Sequence, residues 1–189
     1  FFVSENCNIY DLGCSTGTLL KKIDTYNSLN SMKLHGIDVE KKMLQQAKKK
    51  LSNCKNKIIL NNSSINNLKF KKSDLIISYY TLQFVRPKYR QKIINKIYKS
   101  LNLGSGFIWF EKVRASDAKY QDIISQLYQE YKTDIGYTQN EVWNKSVSIR
   151  SILEPFTSLQ NTKMLRKAGF KNFTSILKYY NFEGYLAIK

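Results

Sequence analysis

Strand-like and helix-like segments alternate along this chain, and that alternation restricts its fold more than any other feature. Strand-like runs stand at Asn8–Leu12, Lys33–Asp38, Lys57–Leu60, Asp74–Tyr79 and Phe107–Phe110. Between them lie segments with apolar residues at helical spacing, such as Met43, Leu44, Ala47 and Leu51, or Ile93, Ile94, Ile97 and Leu101. A strand that feeds a helix and returns to a parallel strand builds an α/β sandwich, with helices on both faces of the sheet. The run Asp74–Tyr79 is almost wholly apolar, as a central strand covered on both faces must be. The first helix is expected to run through about Leu29, and Pro87 to open the third, with Gly104-Ser105-Gly106 ending it. Residues 116–134 and 138–153 read as further helices, and Thr157–Ala168 as a short one stopped by Gly169. Two strands, Phe173–Tyr180 and Gly184–Ile188, close the chain, the last expected to be antiparallel. No linker, repeat or low-complexity stretch intervenes, so residues 1–189 read as one domain.

Composition excludes several classes of function. His35 is the only histidine, so neither a histidine metal site nor a Ser-His-Asp triad can be built, and no metal is expected. Cys7, Cys14 and Cys54 are too few and too scattered for a disulfide framework, which points to a reducing cytoplasm. No apolar run approaches the ~20 residues of a membrane span, and Phe1-Phe2-Val3 does not resemble a secretory leader. The chain opens a few residues ahead of its first strand, which leaves room for a segment upstream. The net charge of +17 raises nucleic acid as a partner. The excess is carried by lysine rather than arginine, in runs such as Lys48-Lys49-Lys50 that fall on expected solvent faces. A solvated basic surface is therefore expected, with nucleic-acid binding as the alternative.

The chemistry concentrates in Asp11-Leu12-Gly13-Cys14-Ser15-Thr16-Gly17, where a strand enters a glycine turn that opens a helix. Glycine at 13 and 17 suits a close ligand approach or the dihedrals of the turn. The pattern is neither G-x-G-x-x-G nor a phosphate loop, which lowers the dinucleotide and ATP readings. Asp11 brings negative charge beside the turn and suits a ligand bearing an ammonium group. Asp38, at the end of the second strand and followed by Val39, can accept both hydroxyls of a ribose. Taken singly, Asp11 could be a turn residue and Asp38 part of a helix cap. Together, on these elements and at this spacing, they read as a nucleoside site.

These residues resemble the S-adenosylmethionine (SAM) signature of class I methyltransferases, and within that superfamily the chain is most similar to the carboxy-SAM synthases. The matching stretches include Tyr10–Gly17, Thr81-Leu82-Gln83-Phe84, Glu111-Lys112, Gly136-Tyr137 and Ala168-Gly169-Phe170. The resemblance implies a Rossmann-like, mostly parallel seven-stranded sheet in the order 3-2-1-4-5-7-6, a homodimer, and SAM across the carboxyl ends of the strands. It assigns the methionine moiety to Gly13–Gly17, including Cys14 and Ser15, the ribose to Asp38 and the adenine to Ser64 and Ile65, with Tyr79 nearby. Three departures stand out. Ser64 and Tyr79 replace an aspartate and an asparagine of the synthases, and Ser146 falls where their carboxylate-binding arginine is expected.

Without that arginine, methyl transfer from SAM to a small acceptor, leaving S-adenosylhomocysteine, is the expected activity. A carboxy-SAM synthase or an inactive SAM-binding partner subunit are the alternatives. Residues 116–153 are expected to cover the acceptor. Glu111, following the fifth strand, is a candidate contact to the acceptor, although such a Glu-Lys pair often lies on the surface. Arg150, in a chain that otherwise uses lysine, is a candidate for binding an anionic acceptor through its planar fork, the plain alternative being an exposed helix residue. Cys14 reads as a small turn residue; Tyr79, Tyr80, Tyr120, Tyr128, Tyr131 and Tyr137 are candidates to line an aromatic acceptor pocket, with half-buried packing as the plain reading for most of them.

Overall fold

The computed structural model describes residues 1–26 and 28–189. Its centre is one sheet of seven strands: β1 (Asn8–Leu12), β2 (Lys33–Asp38), β3 (Lys57–Asn62), β4 (Ser73–Tyr79), β5 (Leu101–Lys112), β6 (Asn172–Tyr179) and β7 (Phe182–Ile188). They lie in the order β3-β2-β1-β4-β5-β7-β6. The first five pair in parallel, and β7 runs antiparallel to both β5 and β6. The helices are α1 (Thr18–Tyr26), α2 (Lys41–Lys50), α3 (Pro87–Ser100), α4 (Ala118–Asp134), α5 (Gln139–Ser148) and α6 (Ser158–Ala168). The expected continuation of α1 passes through Asn27, outside the described residues, and Leu29 belongs to no helix.

Both faces of the sheet are buried, and β4 shows how. Ile76 joins Leu12, Phe107, Leu165 and Phe170 in one core cluster, while its neighbours Leu75 and Ile77 join Ile9, Leu34, Leu44 and Ala47 in the other. Successive strand residues point to opposite faces, so a strand between two helix layers must be apolar at almost every position. The two helices that follow β5 differ. Neither α4 nor α5 contains a buried residue. Their ends are fixed by local chemistry instead: Asp117 accepts from Lys119 N at 2.9 Å, and Thr138 and Glu141 close a capping box.

Two further boundaries depart from the sequence reading, one being the helix expected over 138–153, which ends at Ser148. The Gly104-Ser105-Gly106 stretch does not terminate α3; the helix ends at Ser100 and β5 begins at once with Leu101. The register jumps from Ser73↔Leu101 to Leu75↔Gly106, so the intervening residues bulge from the ladder. Gly104 takes φ +79 there and donates its N–H to Lys189 O at 2.9 Å.

Candidate functional site

The turn after β1 and the end of β2 form one backbone unit. Gly13 N and Cys14 N both donate to Ile37 O, at 2.7 and 3.0 Å, and Gly17 N donates to Cys14 O at 2.8 Å. Gly13 and Gly17 have φ of +79 and +76, which a side chain disfavours. A Cβ on Gly13 would stand 2.3 Å from Thr81 Oγ1, and one on Gly17 would stand 2.7 Å from Leu51 Cδ1. The two glycines thus admit neighbouring protein atoms as well as the turn's dihedrals. Asp38 ties the unit together: its Oδ2 accepts from Ser15 N at 2.8 Å and its Oδ1 from Glu40 N at 2.9 Å.

Above this unit lies a cavity of about 660 Å³ at the carboxyl ends of the parallel strands. Of the residues expected to bind the cofactor, it is lined by Gly13, Ser15, Asp38, Val39, Ser64, Ile65 and Tyr79. Asp11, Cys14 and Gly17 lie behind it. Cys14 is a core residue, and burial first, then Asp11 and Asp38, push its thiol up to about 12, so it does not act as a nucleophile. Asp11 is 2% exposed, and burial together with the charge of Asp38 lifts its carboxyl to about 7. Of the two residues expected near the adenine, Ser64 uses its hydroxyl to accept from Asn66 N at 3.3 Å, and Ile65 closes onto the core. Beyond Tyr80, expected only as a candidate for the acceptor pocket, the sequence reading missed the wall that follows β4: Thr81, Phe84, Arg86 and Tyr89 also line the cavity. The Thr81–Phe84 match and Pro87 just beyond it were the available signals. Tyr80 carries φ +56, a conformation a bulky residue rarely adopts.

A second chamber of about 560 Å³ adjoins the first and shares Tyr80 and Phe84 with it. Its walls come from β5, α4 and α5, and include Lys112, Tyr128, Lys132 and Lys145. Glu111 and Arg150 are not among the lining residues of either space. Glu111 points to the other face of β5, where its buried carboxyl is pushed up to about 8 and Oε1 has no hydrogen-bond partner. Arg150 is exposed, with its guanidinium 6.0 Å from the Trp143 ring centroid. Ser146 lies in the outer groove between α4 and α5. The helical register explains these placements: α5 presents Lys145 to the chamber, which turns Ser146 away, while Arg150 follows the end of the helix. The cations of the chamber are lysines.

The segment Leu82–Phe84, a 3-10 turn that helps to wall both spaces, is held from beneath by Arg90. This buried guanidinium donates to Val85 O at 2.7 Å, Glu154 O at 2.6 Å and Gln83 O at 2.9 Å. Gln83 Oε1 in turn accepts from Lys112 N at 2.8 Å. His35 plays no part in either space: it stacks on Tyr10 at 4.2 Å in the core, and burial pushes it down to about 4.

Comparison with known proteins agrees with this geometry. Residues 9–104 match a family model described as a methyltransferase domain. A carboxy-S-adenosyl-L-methionine synthase of Campylobacter lari is 37% identical over 188 residues, covering all of this chain and 80% of the relative. One of Staphylococcus epidermidis is 40% identical over 189 residues, covering all of this chain and 82% of the relative. The chain belongs to the carboxy-SAM synthase family of SAM-dependent methyltransferases. Solved structures repeat its fold. A SAM-dependent methyltransferase of Methanosarcina mazei aligns with TM-score 0.71 at 17% identity, over all of this chain and 94% of its own. Human N-acetylserotonin methyltransferase, in complex with SAM, aligns with TM-score 0.67 at 18% identity, over 96% of this chain and 47% of its own.

A family member binds SAM, and the cavity carries features that fit it. The hydroxyl of Ser63 on its wall is buried without a hydrogen-bond partner. Asp11 and Asp38 place two carboxyls beside each other with no ion pair among the described residues, an arrangement that a sulfonium or ammonium cation relieves.

Proposed function

We propose that this chain forms carboxy-SAM from SAM, with a small carboxylic acid in the second chamber as the source of the carboxyl group: the sulfonium methyl loses a proton and forms a C–C bond to the carboxyl carbon as the acid's own C–C bond to it breaks, and the decarboxylated remainder leaves with the proton. The observation that carries the reading is the junction of the two spaces at Tyr80 and Phe84. It puts a lysine-lined chamber directly beside the cavity that fits SAM. The missing arginine, which weighs against this activity in the sequence, loses its force once Ser146 lies in the outer groove and Lys112, Lys132 and Lys145 stand on the chamber wall.

In this reading Asp38 accepts from the ribose, Ser64 and Ile65 border the adenine, and Ser63 supplies the free hydroxyl. Tyr80, at the junction of the two spaces, borders both reacting molecules, so that catalysis rests on proximity. Residues 116–153 form the cover over the acid. A cytoplasmic setting rests on three free cysteines, and a homodimer on the family resemblance. Incubation with SAM and prephenate, followed by mass spectrometry, should show carboxy-SAM accumulating only when both are present. Production of S-adenosylhomocysteine alone, in the presence of an added acceptor, would return the reading to methyl transfer.

A further inference from the structure

Arg90 on α3 and Glu111 on β5 are both 2% exposed, and each favours the charge of the other. They nevertheless form no pair among the described residues. The guanidinium donates to the carbonyls of Val85, Glu154 and Gln83, and Glu111 Oε1 has no hydrogen-bond partner. Trp109, two residues away on the same face of β5, is equally unused, its Nε1 being buried without a partner. An ionised carboxylate in a buried place takes a charged donor within reach, because an unpaired buried charge is costly. The arrangement is that of an uncharged acid. Burial, offset only in part by Trp109, Arg90 and the amides of Leu82 and Gln83, pushes the Glu111 carboxyl up to about 8. The other ionisable groups around it are accounted for. Glu183, opposite Glu111 in the ladder, accepts from Ser158 Oγ and, at 2.9 Å, from Tyr185 OH. Tyr80 is pushed up to about 12 by burial, then by Tyr79, Tyr128 and Glu111, and Glu154 favours the charge of Arg90.

Two acceptors thus compete for one guanidinium. We propose that Glu111 is a positioning residue for the junction of the two spaces: uncharged, it leaves Arg90 to the carbonyls of the turn, and ionised, it draws the guanidinium away and slackens the segment that carries Tyr80 and Phe84. The residues on either side of Glu111 deliver the change to that segment. Tyr80 N donates to Phe110 O at 2.9 Å, and Lys112 N donates to Gln83 Oε1 at 2.8 Å. The role in turnover rests on the proposed function, whereas the competition for Arg90 does not.

Trp109 reports on the acid directly. Trp143→Phe leaves it as the only indole, and its emission should then show an inflection near pH 8 as the neighbouring carboxyl ionises. Adding Glu111→Gln, an uncharged analogue that cannot titrate, should remove the inflection. In carboxy-SAM formation from SAM and prephenate, kcat should fall about tenfold between about pH 7 and about pH 9, which is the loss of the neutral form of a group titrating near 8. Glu111→Gln should flatten that fall. The readout is kcat rather than KM, because burial also pushes Lys112 and Lys132 below the usual lysine range and both line the second chamber. An emission that stays flat from about pH 6 to about pH 10 overturns the proposal, as does an equal fall of kcat in Glu111→Gln. If no carboxy-SAM forms at any pH, only the proposed activity is removed, and SAM affinity takes the place of kcat. The affinity of the wild-type protein relative to Glu111→Gln should then drop between about pH 7 and about pH 9, and a constant ratio overturns the positioning role.

Discussion

Asp11 has two roles to reconcile: it sits beside the cofactor turn, yet it lies behind the cavity wall at 2% exposure. Its carboxyl, raised to about 7 by burial and then by Asp38, is mostly protonated just below neutrality. A cation bound in front of the turn favours the ionised form, so binding should pull the proton off. The sign follows directly. SAM affinity should rise as pH climbs through about 7, and calorimetry at pH about 6.5 in buffers of different ionisation enthalpy should detect proton release. Asp11→Asn should bind SAM without releasing a proton. Equal release by both proteins would place the titrating group elsewhere, for instance on the ligand. Asp38, by contrast, is anchored by two backbone amides, and in the proposed function its remaining lone pairs accept from the ribose. Both aspartates stand out in the sequence because each falls at a strand end beside a glycine turn. Their division of labour does not, since burial of a carboxylate is a property of the packed neighbourhood.

The 3-10 turn Leu82–Phe84 is the element on which both spaces depend, and Arg90 is what fixes it. Its three bonds to carbonyl oxygens join the turn, the start of α3 and Glu154 at the return from the cover. The guanidinium also packs 4.5 Å from the Phe156 ring centroid. Replacing it leaves three carbonyls short of a charged donor in a buried place. Arg90→Met should therefore destabilise the protein by about 3–5 kcal/mol, and Arg90→Lys should recover only part, because an ammonium cannot match the planar fork. Chemical denaturation measures both. A loss under about 1 kcal/mol for Arg90→Met would mean that the turn is held by other contacts. The sequence marks α3 clearly through Pro87 and its apolar spacing. It gives no sign that a basic residue on that helix faces inward, because lysines and arginines on helices are ordinarily solvent-facing.

At the scale of the whole molecule the net charge of +17 is the dominant field. It is spread over lysine-rich surface such as the groove formed by Lys69, Lys72, Lys96 and Lys99, none of which lines either of the two spaces. A diffuse field attracts polyanions without selecting among them. Binding to bulk RNA should accordingly be weak, and should fall steeply as salt rises from about 50 to about 200 mM. Filter binding across that range measures it, and a complex that keeps its affinity would point to a shaped nucleic-acid site.

The sequence by itself determined the sheet and picked out the turn and the carboxylate to which the cofactor is assigned in the proposed function. Strand and helix periods, the turn from Gly13 to Gly17 and the carboxylate at 38 are local features, each readable within a few residues. Parallel connections then allow few topologies. What only the tertiary structure decided is the second chamber. The family resemblance points to Ser146 and residue type to Arg150, whereas Lys112 and Lys132 reach the chamber from β5 and α4, on elements that meet only after folding. The helical register of α5 turns Ser146 outward, and Glu111 and Lys112, adjacent in sequence, point to opposite faces of one strand. Which side chains share a cavity is thus set by the relative rotation of packed elements. That rotation is fixed by long-range contacts, which no local pattern in this sequence records.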